Sequence, residues 1–249
     1  MTYQQLAYVY DSFMSEAPYN QWVDFTKEII RRRGPVKQIV DLGCGTGELT
    51  IRLAREGYQL IGVDYSHDML AVAEQKASLS HDIQWIQKDI RELEGFSHND
   101  MIVSYCDVIN YITTEEDLLL VFNNAYRSLR EGGLFVFDFH SLSHVNENLI
   151  DQTFSYVDDA FSYIWHCIPG EEVGEMYHNL TFFVQDKDRH YIRHDEVHHQ
   201  RTFSVECYQH LLNQAGFKIK NIYGDFAIEK KFLESEAERI FIIAEKRSE

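Results

Sequence analysis

The sequence predicts an α/β fold, in which a mostly parallel sheet carries helices on both faces and a small antiparallel β segment is inserted after the fifth strand. From Gln38 onward, short apolar runs of strand length alternate with helical patterns, which is typical of βα units. The 249 residues suffice for one large domain with an insertion, and 45% of them are hydrophobic, which supplies a core.

The predicted elements follow in order along the chain. The stretch from Tyr3 to Arg33 predicts two helices that are interrupted at Pro18 and cap the sheet. Apolar runs then predict five strands, at residues 38–43, 58–64, 83–89, 100–106 and 133–139. Apolar residues at helical spacing predict helices between them, in TGELTIRLARE, SHDMLAVAEQKAS and TEEDLLLVFNNAYRSLRE.

The pattern changes after Phe139. Residues 154–203 are rich in β-forming residues, contain turn signals such as Pro169-Gly170, and predict an antiparallel insertion. VECYQHLLNQAGF then predicts a helix, and a final hairpin of FKIKNIYG and RIFIIAEK would make the last strand antiparallel. We therefore expect one core with an N-terminal helical cap, formed by residues 1–140 and 204–249, and an insertion at 141–203 that covers the substrate.

Charge and cysteine content restrict the partners and the compartment. A formal net charge of -17 repels polyphosphates and anionic lipids, so long nucleic acid and membranes are disfavoured partners. Arg31, Arg32 and Arg33 form one basic run, but cations also suit the end of a helix. The four cysteines form no C-x-x-C pair, and neither a signal-peptide pattern nor a long apolar run is found. We expect a soluble cytoplasmic protein, either a monomer or a homodimer.

A glycine loop, DLGCGTGEL, follows the first predicted strand at residues 41–49. Glycines at a turn from strand to helix let a nucleoside-bearing ligand approach the main chain. A dinucleotide loop would read G-x-G-x-x-G and leave the helix start open for a pyrophosphate, whereas Gly47 ends this loop early and the Glu48 carboxylate repels phosphate. No Gly-Lys-Ser or Gly-Lys-Thr follows, so a phosphate-binding P-loop is excluded.

Acidic residues end the next two predicted strands. Asp64 ends the second strand, where a carboxylate can accept both hydroxyls of a ribose. Asp89, followed by Ile90, ends the third strand at the same edge of the sheet, where it could accept a bond from an adenine amino group. Either aspartate alone could be a helix cap or a turn residue. Their coincidence with the glycine loop favours a cofactor site.

Four segments, taken in order and with their spacing, resemble the class I S-adenosylmethionine-dependent methyltransferases: DLGCGTGEL, GVDYSHDML, QKDIREL and LREGGLFVFDF. The resemblance covers the chain except the insertion. It implies a Rossmann-like sheet of seven strands, S-adenosyl-L-methionine as the cofactor and S-adenosyl-L-homocysteine as its product. The chain more closely resembles a bacterial subgroup that is similar to the YqeM methyltransferases. This resemblance lies in LAYVYDSFM, APYNQWVDF and SYCDVINYI.

The resemblance implies roles for particular residues. Asp64 would bind the ribose, and Asp89 with Ile90 would bind the adenine. The glycine loop would hold the methionine portion, through Asp41, Gly43, Cys44 and Gly45. The other implied cofactor residues are Tyr65 and Met69 on the adenine face, Tyr105 and Cys106 beside the methyl group, and Tyr10, Tyr19 and Trp22 from the N-terminal helices. Met69 could equally belong to a helix core, and the N-terminal aromatics could equally fasten the cap helices.

Methyl transfer from a sulfonium needs no nucleophilic side chain, because the protein has only to exclude water and hold the acceptor in line. A hydroxyl acceptor needs a general base more than an amine does. His140, just beyond the fifth strand, is the predicted base, although any one of the twelve histidines could be structural. Aromatic alternation in the insertion fits a small core or a pocket wall. The expected substrate-pocket residues are Tyr163, Trp165, His166 and His178, and the last two are further candidate bases.

A cluster of histidines in the insertion raises the question of a metal site. The cluster contains His190, His194, His198 and His199, and on a strand His194, Glu196 and His198 would share one face. The insertion has no other matching ligand pattern. A charged, exposed strand face explains the cluster, and we predict no metal.

These observations favour a methyltransferase that transfers a methyl group to nitrogen or oxygen of a small molecule. The insertion can close a pocket, and the surface is acidic. Two alternatives stay open: a methyltransferase acting on RNA or protein, and a non-catalytic module that binds the cofactor. The basic residues in the insertion that would favour RNA are scattered, namely Arg189, Arg193 and Arg201. An oxidoreductase with a nicotinamide cofactor is disfavoured by Glu48 and the glycine spacing.

Overall fold

The computed structural model of the protein describes residues 10–11, 13–14, 16–77 and 83–247. The first predicted helix, from Tyr3 to Pro18, lies mostly outside the described residues. The longer helices of the described chain are α1 (Tyr19–Arg33), α2 (Glu48–Arg55), α3 (His67–Ala77), α4 (Glu115–Ser128) and α5 (Val205–Gln214). None of the described helices combines the length and the apolar character needed to cross a bilayer.

The strands of the described chain fall into two sheets. In chain order they are β1 (Gln38–Leu42), β2 (Gln59–Asp64), β3 (Ile83–Gln87), β4 (Asn99–Ser104), β5 (Leu129–His140), β6 (Thr153–Val157), β7 (Phe161–Pro169), β8 (Glu175–Gln185), β9 (Tyr191–Arg201), β10 (Phe217–Gly224) and β11 (Arg239–Lys246).

The main sheet has seven strands, in the order β10-β11-β5-β4-β1-β2-β3. Strands β1 to β5 pair in parallel with one another. Strand β11 runs antiparallel to both β5 and β10. The predicted seven-stranded, mostly parallel sheet with an antiparallel last strand is therefore confirmed, and it brings the ends of β1 to β5 to one edge.

Helix α4 ends earlier, and β5 begins earlier, than the sequence pattern predicts. The pattern extends the helix to Glu131, but α4 ends at Ser128, whose main-chain carbonyl accepts a hydrogen bond from Asn99 Nδ2 at 2.9 Å. Leu129 then pairs with Asn99 at the start of β4, and the strand continues through Gly132 and Gly133. Tertiary pairing with β4 thus overrides the local helical pattern.

The main sheet has a core on each face, because side chains alternate along its strands. On one face, Val40, Ile102 and Phe135 pack against α4 and α5. On the other face, Ile39 and Met101 pack against α1 and α2. All five side chains are at most 1% exposed. Helices therefore cover both faces, as the sequence predicts.

Strands β6 to β9 form a second, antiparallel sheet between β5 and α5, in the order β6-β7-β8-β9. A short helical segment, Leu142–His144 followed by Val145–Leu149, leads into it. On β8, alternate residues such as Met176, Leu180 and Phe182 are buried. One face of this sheet is therefore turned toward the protein interior, and the predicted antiparallel insertion after the fifth strand is confirmed.

Candidate active site

A cavity of about 830 Å³ lies at the carboxyl edge of the main sheet and is covered by the second sheet. We define two parts of its lining. The loop wall comprises residues 43–46, 48, 64–69 and 89–91, which follow β1, β2 and β3. The sheet wall comprises residues that follow β4 or lie on β5, β11 and the second sheet, namely 106–108, 111, 112, His140, Trp165, His178, Leu180, Phe182, Glu196, His198, Gln200 and Arg239.

The loop after β1 contains three glycines with positive φ: Gly43 (+74°), Gly45 (+54°) and Gly47 (+78°). A Cβ atom on Gly43 would lie 2.4 Å from Val108 Cγ1 in the sheet wall, and one on Gly47 would lie 2.6 Å from Trp85 Cη2. A Cβ atom on Gly45 would have no neighbour within 4 Å. Gly43 therefore lets the two walls meet, and Gly45 leaves open main chain beside the cavity.

Asp64 ends β2 and lies at the cavity, next to the glycine loop. Its carboxylate accepts hydrogen bonds from the main-chain N–H groups of Gly45 and Ser66, each at 2.8 Å. Burial raises the pKa of Asp64, and these two bonds partly offset that rise. Each carboxylate oxygen can accept a second hydrogen bond. Asp64 therefore retains the capacity to accept from ligand hydroxyl groups.

Asp41 near the end of β1 also lines the cavity, although it is only 2% exposed. Its carboxylate accepts a hydrogen bond from Thr50 Oγ1 on α2 at 2.6 Å. Burial raises the pKa of Asp41 from 3.8 to about 6. The Asp41 carboxyl group thus connects β1 and α2 beneath the glycine loop.

Asp89 lines the cavity and also caps the short helix Ile90–Glu92. It accepts a hydrogen bond from the Arg91 main-chain N–H at 2.9 Å and binds the Arg91 guanidinium, which also contacts Asp117. The hydrogen bonds from Arg91 lower the pKa of Asp89. Three other residues predicted to contact adenine line the same wall: Ile90, Tyr65 and Met69.

The chain leaves β4 through two residues in the left-handed backbone region, Cys106 (φ +58°) and Asp107 (φ +54°). For residues other than glycine, this conformation costs on the order of 1 kcal/mol each. The Asp107 main-chain N–H donates to Asp138 Oδ1 at 2.8 Å, and the Asp107 carboxylate accepts from Arg239 Nη2 at 3.0 Å. These contacts hold the turn and direct the Asp107 side chain into the cavity.

Arg239, at the start of β11, lies between two carboxylates. Arg239 Nη1 is 3.1 Å from Asp138 Oδ1. Burial would raise the pKa of Asp107, but His140 and Arg239 beside it hold that pKa below its usual value. Asp138 is fully buried and also accepts from Trp22 Nε1 at 2.5 Å. Trp22 therefore fastens α1 to this ion cluster, which is the structural role that the sequence left open. It does not line the cavity.

His140, the predicted base, lines the cavity at the end of β5. Its Nε2 atom is 3.5 Å from Asp107 Oδ1, and its Nδ1 atom is buried without a hydrogen-bond partner among the described residues. Burial lowers the pKa of His140 from 6.5 to about 3. The ring is therefore neutral near pH 7, and it accepts a proton only weakly.

A chain of hydrogen bonds connects the second sheet with the turn after β4. Trp165 Nε1 donates to His178 Nδ1 at 2.9 Å, so the proton of a neutral His178 ring lies on Nε2. His178 Nε2 is 3.0 Å from Gln200 Oε1, and Gln200 Nε2 donates to Asp107 Oδ2 at 3.3 Å. Trp165 and His178, both predicted for the substrate pocket, thus line the cavity within one polar network.

Glu196 and His198 of β9 lie in the sheet wall, so the interpretation of their strand face as exposed is wrong. His198 Nδ1 is 2.9 Å from Tyr111 Oη, and His198 Nε2 is 3.0 Å from Glu196 Oε2. No pattern in the sequence predicts a role for Tyr111, Asp107, Gln200 or Arg239. The alternation of residues along β9 was the one signal that could have grouped Glu196, His198 and Gln200.

The remaining predicted residues divide into two groups. The first group lines the cavity and contains Tyr10, Tyr19, Cys44, Tyr105 and Cys106. Tyr163 and His166 do not line it. Tyr163 packs edge-on against Phe13, with ring centroids 4.8 Å apart, and His166 Nδ1 lies 2.9 Å from Thr153 Oγ1.

The fold and the loop wall together define a class of protein. A seven-stranded sheet with one reversed strand, a glycine loop with Glu48 at the helix start, and an aspartate ending β2 are features of the class I S-adenosylmethionine-dependent methyltransferases. The loop wall fits that cofactor, because the main chain at Gly45 is open and Asp64 can accept hydroxyl groups.

Comparison with known proteins agrees with this class. Residues 39–133 match a family described as "Methyltransferase domain". A methyltransferase of Geobacillus sp. (strain WCH70) is 41% identical over 99% of this chain and 100% of its own length. YqeM of Bacillus subtilis (strain 168), also named as a methyltransferase, is 40% identical over 99% of this chain and 98% of its length. The chain therefore belongs to the YqeM-like family of S-adenosylmethionine-dependent methyltransferases.

Solved structures share the fold over nearly the whole chain. An S-adenosylmethionine-dependent methyltransferase from Clostridium acetobutylicum ATCC 824 has a TM-score of 0.88 and 29% identity, and 99% of both chains is covered. The sugar N-methyltransferase KedS8 from Streptoalloteichus sp. ATCC 53650 has a TM-score of 0.78 and 19% identity, with 96% of this chain and 93% of KedS8 covered. The second likeness concerns the fold alone.

Proposed function

We propose that the enzyme transfers a methyl group from S-adenosylmethionine to the nitrogen of a small-molecule amine held against the sheet wall. The charge of the cavity carries this proposal. Seven described residues of the lining are carboxylic acids, Asp41, Glu48, Asp64, Asp68, Asp89, Asp107 and Glu196. Three of these acids pair with cations, Asp89 with Arg91, Asp107 with Arg239 and Glu48 with Lys76. The other four have no lysine or arginine partner among the described residues, so the lining keeps an excess of negative charge. Such a cavity attracts an ammonium group and repels an anionic acceptor.

The shape and lining of the sheet wall support an acceptor of modest size. Trp165, Leu180 and Phe182 supply apolar surface, which excludes water from the reacting atoms. Aromatic faces can also contact an ammonium group. The segment at residues 141–203 would act as a cover over the acceptor, on a core formed by residues 1–140 and 204–249. KedS8, which shares the fold, is named for methylation of a sugar nitrogen.

The loop wall would hold the cofactor through main-chain groups and carboxylates. Gly43, Cys44 and Gly45 are the candidates for the methionine portion, Asp64 for the ribose, and Asp89 with Ile90 for the adenine. When bound, the cofactor supplies a methyl group that its sulfonium already activates. The protein has to hold the acceptor in line behind that methyl group and to keep water out.

The acidic cavity also bears on the alternatives. A methyltransferase for RNA would need cations that contact phosphates, and the arginines of the described lining are occupied by carboxylates. The four cysteines are free thiols, which fits a reducing cytoplasm. We therefore propose a cytoplasmic enzyme acting on small molecules.

Methyl-labelled S-adenosylmethionine tests this function. Purified protein is incubated separately with three fractions of a Bacillus subtilis extract: the low-molecular-weight filtrate, the RNA and the protein. We expect label in the filtrate, and loss of that label when the filtrate is first N-acetylated to block its amines. Label that survives acetylation would indicate an oxygen acceptor, and label confined to RNA or protein would overturn the proposal. Absence of label despite calorimetric binding of the cofactor would support the non-catalytic alternative.

A further inference from the structure

Three polar side chains meet at the sheet wall, from parts of the chain that are far apart in sequence. Tyr111 ends the short helix Val108–Tyr111 after β4, whereas Glu196 and His198 lie on β9. The Tyr111 hydroxyl is 2.9 Å from His198 Nδ1, and His198 Nε2 is 3.0 Å from Glu196 Oε2. All three residues line the cavity.

The donors and acceptors in this group follow from chemistry. An ionised carboxylate can only accept hydrogen bonds, so the Glu196 carboxylate requires a proton on His198 Nε2. In a neutral His198 ring, Nδ1 then carries the lone pair, and the Tyr111 hydroxyl must donate to it. Each member therefore orients the next, and a proton arriving at Tyr111 Oη has a path through Tyr111 to His198.

The position of Tyr111 makes its hydroxyl group accessible to an acceptor. Tyr111 is 46% exposed, and it faces the cavity. A tyrosine hydroxyl has an ordinary pKa of about 10, so a free phenolate is not populated near neutral pH. Tyr111 can accept a proton only while it passes its own to His198.

We infer that Tyr111, His198 and Glu196 form a proton relay that deprotonates the methyl acceptor, with Tyr111 as the catalytic residue and His198 and Glu196 as positioning residues. The inference rests on the proposed function. The base is then Tyr111, for which no sequence pattern predicts a role, whereas His140, the predicted base, is a weak proton acceptor with a pKa of about 3.

The proposed step moves one proton from the acceptor to the relay and one methyl group to the acceptor nitrogen. The acceptor ammonium group gives one proton to Tyr111 Oη, while the Tyr111 phenolic proton moves to His198 Nδ1. The freed lone pair on nitrogen forms the bond to the methyl carbon, and the electron pair of the broken sulfur–carbon bond stays on sulfur. The positive charge lost from the sulfonium is matched by the new methylammonium group, and the acceptor's original charge resides on the His198 imidazolium beside Glu196.

The arrangement of protons can be tested without any acceptor. Histidine ring nitrogens are observed by ¹⁵N–¹H NMR of the full chain, and the His198 signals are assigned by their loss in His198→Gln. We expect the tautomer with the proton on Nε2, and a shift of the Nδ1 resonance in Tyr111→Phe. A proton on Nδ1 would reverse the hydrogen bond and overturn the relay.

Rates test the relay itself, with the labelled low-molecular-weight filtrate of the Bacillus subtilis extract as the probe. General-base catalysis typically contributes 100-fold or more, so we expect Tyr111→Phe and His198→Gln to lower the rate about 100-fold and Glu196→Gln about tenfold. Cofactor affinity should stay within about twofold of wild type. His199→Gln is the matched control, because His199 is next to His198 but binds Glu175 outside the cavity lining.

A solvent isotope effect separates a proton relay from a structural role. The wild-type rate should be lower in D₂O than in H₂O, and this effect should be smaller in His198→Gln, because that variant lacks the proton transfer from Tyr111 to His198. Isotope effects on the acceptor amine are common to both proteins and cancel in the comparison.

The results of these experiments distinguish failure of the relay from failure of the proposed function. An isotope effect as large in His198→Gln as in wild type, or rates in Tyr111→Phe equal to wild type, would overturn the relay while leaving the proposed function in place. Loss of activity in His199→Gln equal to that in His198→Gln would also overturn it, because the effect would not be specific to the cavity. No labelled small molecule with wild-type protein would overturn the proposed function, and the inference with it.

Discussion

The loop wall and the sheet wall of the cavity are fixed by different kinds of interaction. In the loop wall, Asp64 accepts from the main-chain N–H groups of Gly45 and Ser66, which lie within twenty residues of it in sequence. In the sheet wall, side chains bind one another over long separations, as Asp107 and Arg239 do across 132 residues. The loop wall is therefore a local structure, whereas the sheet wall exists only when the whole fold is complete.

The largest effect should come from breaking the sheet wall at its half-buried cation, Arg239. Arg239→Met would leave Asp107 and Asp138 without their positive partner, and an uncompensated buried charge costs about 3–5 kcal/mol of unfolding free energy. Chemical denaturation measures this loss. The exposed Arg127→Met should change the unfolding free energy by no more than about 0.5 kcal/mol. Equal values for the two variants would contradict a stabilising role for the ion cluster.

A second prediction concerns Asp41 beneath the loop wall, where pH provides the test. The pKa of Asp41 is raised from 3.8 to about 6 by burial, so the folded state holds this proton more tightly than the unfolded state does. Its contribution to stability is therefore lost as the pH rises from about 4 to about 6, and the full loss is about 3 kcal/mol. We expect this decline in the wild type and a smaller decline in Asp41→Asn, both measured by denaturation at several pH values. Parallel pH curves would contradict it.

The smallest of the three effects should come from the loop wall itself. Asp64→Asn removes the charge that accepts from Gly45 and Ser66 and that would bind the ribose, and it should weaken S-adenosylmethionine binding about tenfold to hundredfold. Isothermal titration calorimetry measures this affinity. The exposed Glu74→Gln on α3 serves as the control and should bind normally. Unchanged affinity in Asp64→Asn would remove Asp64 from the cofactor site.

The difference between the walls explains what the sequence could predict. The glycine loop follows β1, Asp64 ends β2 and Asp89 lies just after β3, and the ends of parallel strands meet at one edge of a sheet. A short motif and a strand pattern therefore suffice to bring them together. The same reasoning predicted the reversed last strand and the antiparallel insertion, because both leave local patterns of apolar residues.

The sheet wall could not be predicted in the same way, because its members carry no local pattern. Asp107 reaches the cavity through a left-handed turn that no glycine marks, and Arg239 reaches it because β11 lies next to β5. Tyr111 meets His198 only when the second sheet covers the main sheet. Trp22 is a similar case, since the sequence left two roles open for it and only the complete fold shows that it binds the buried Asp138.

The place of Arg239 in the chain has a consequence for synthesis of the protein. It has the highest residue number in the described lining of the cavity, and it follows its partners Asp138 and Asp107 by 101 and 132 residues. At about 5–20 residues per second, the ribosome adds this cation on the order of 5 to 25 seconds after the two carboxylates. Until then, both carboxylates are more stable in water than in a dry interior. The nascent chain should therefore keep its active site open and inactive until β11 is made.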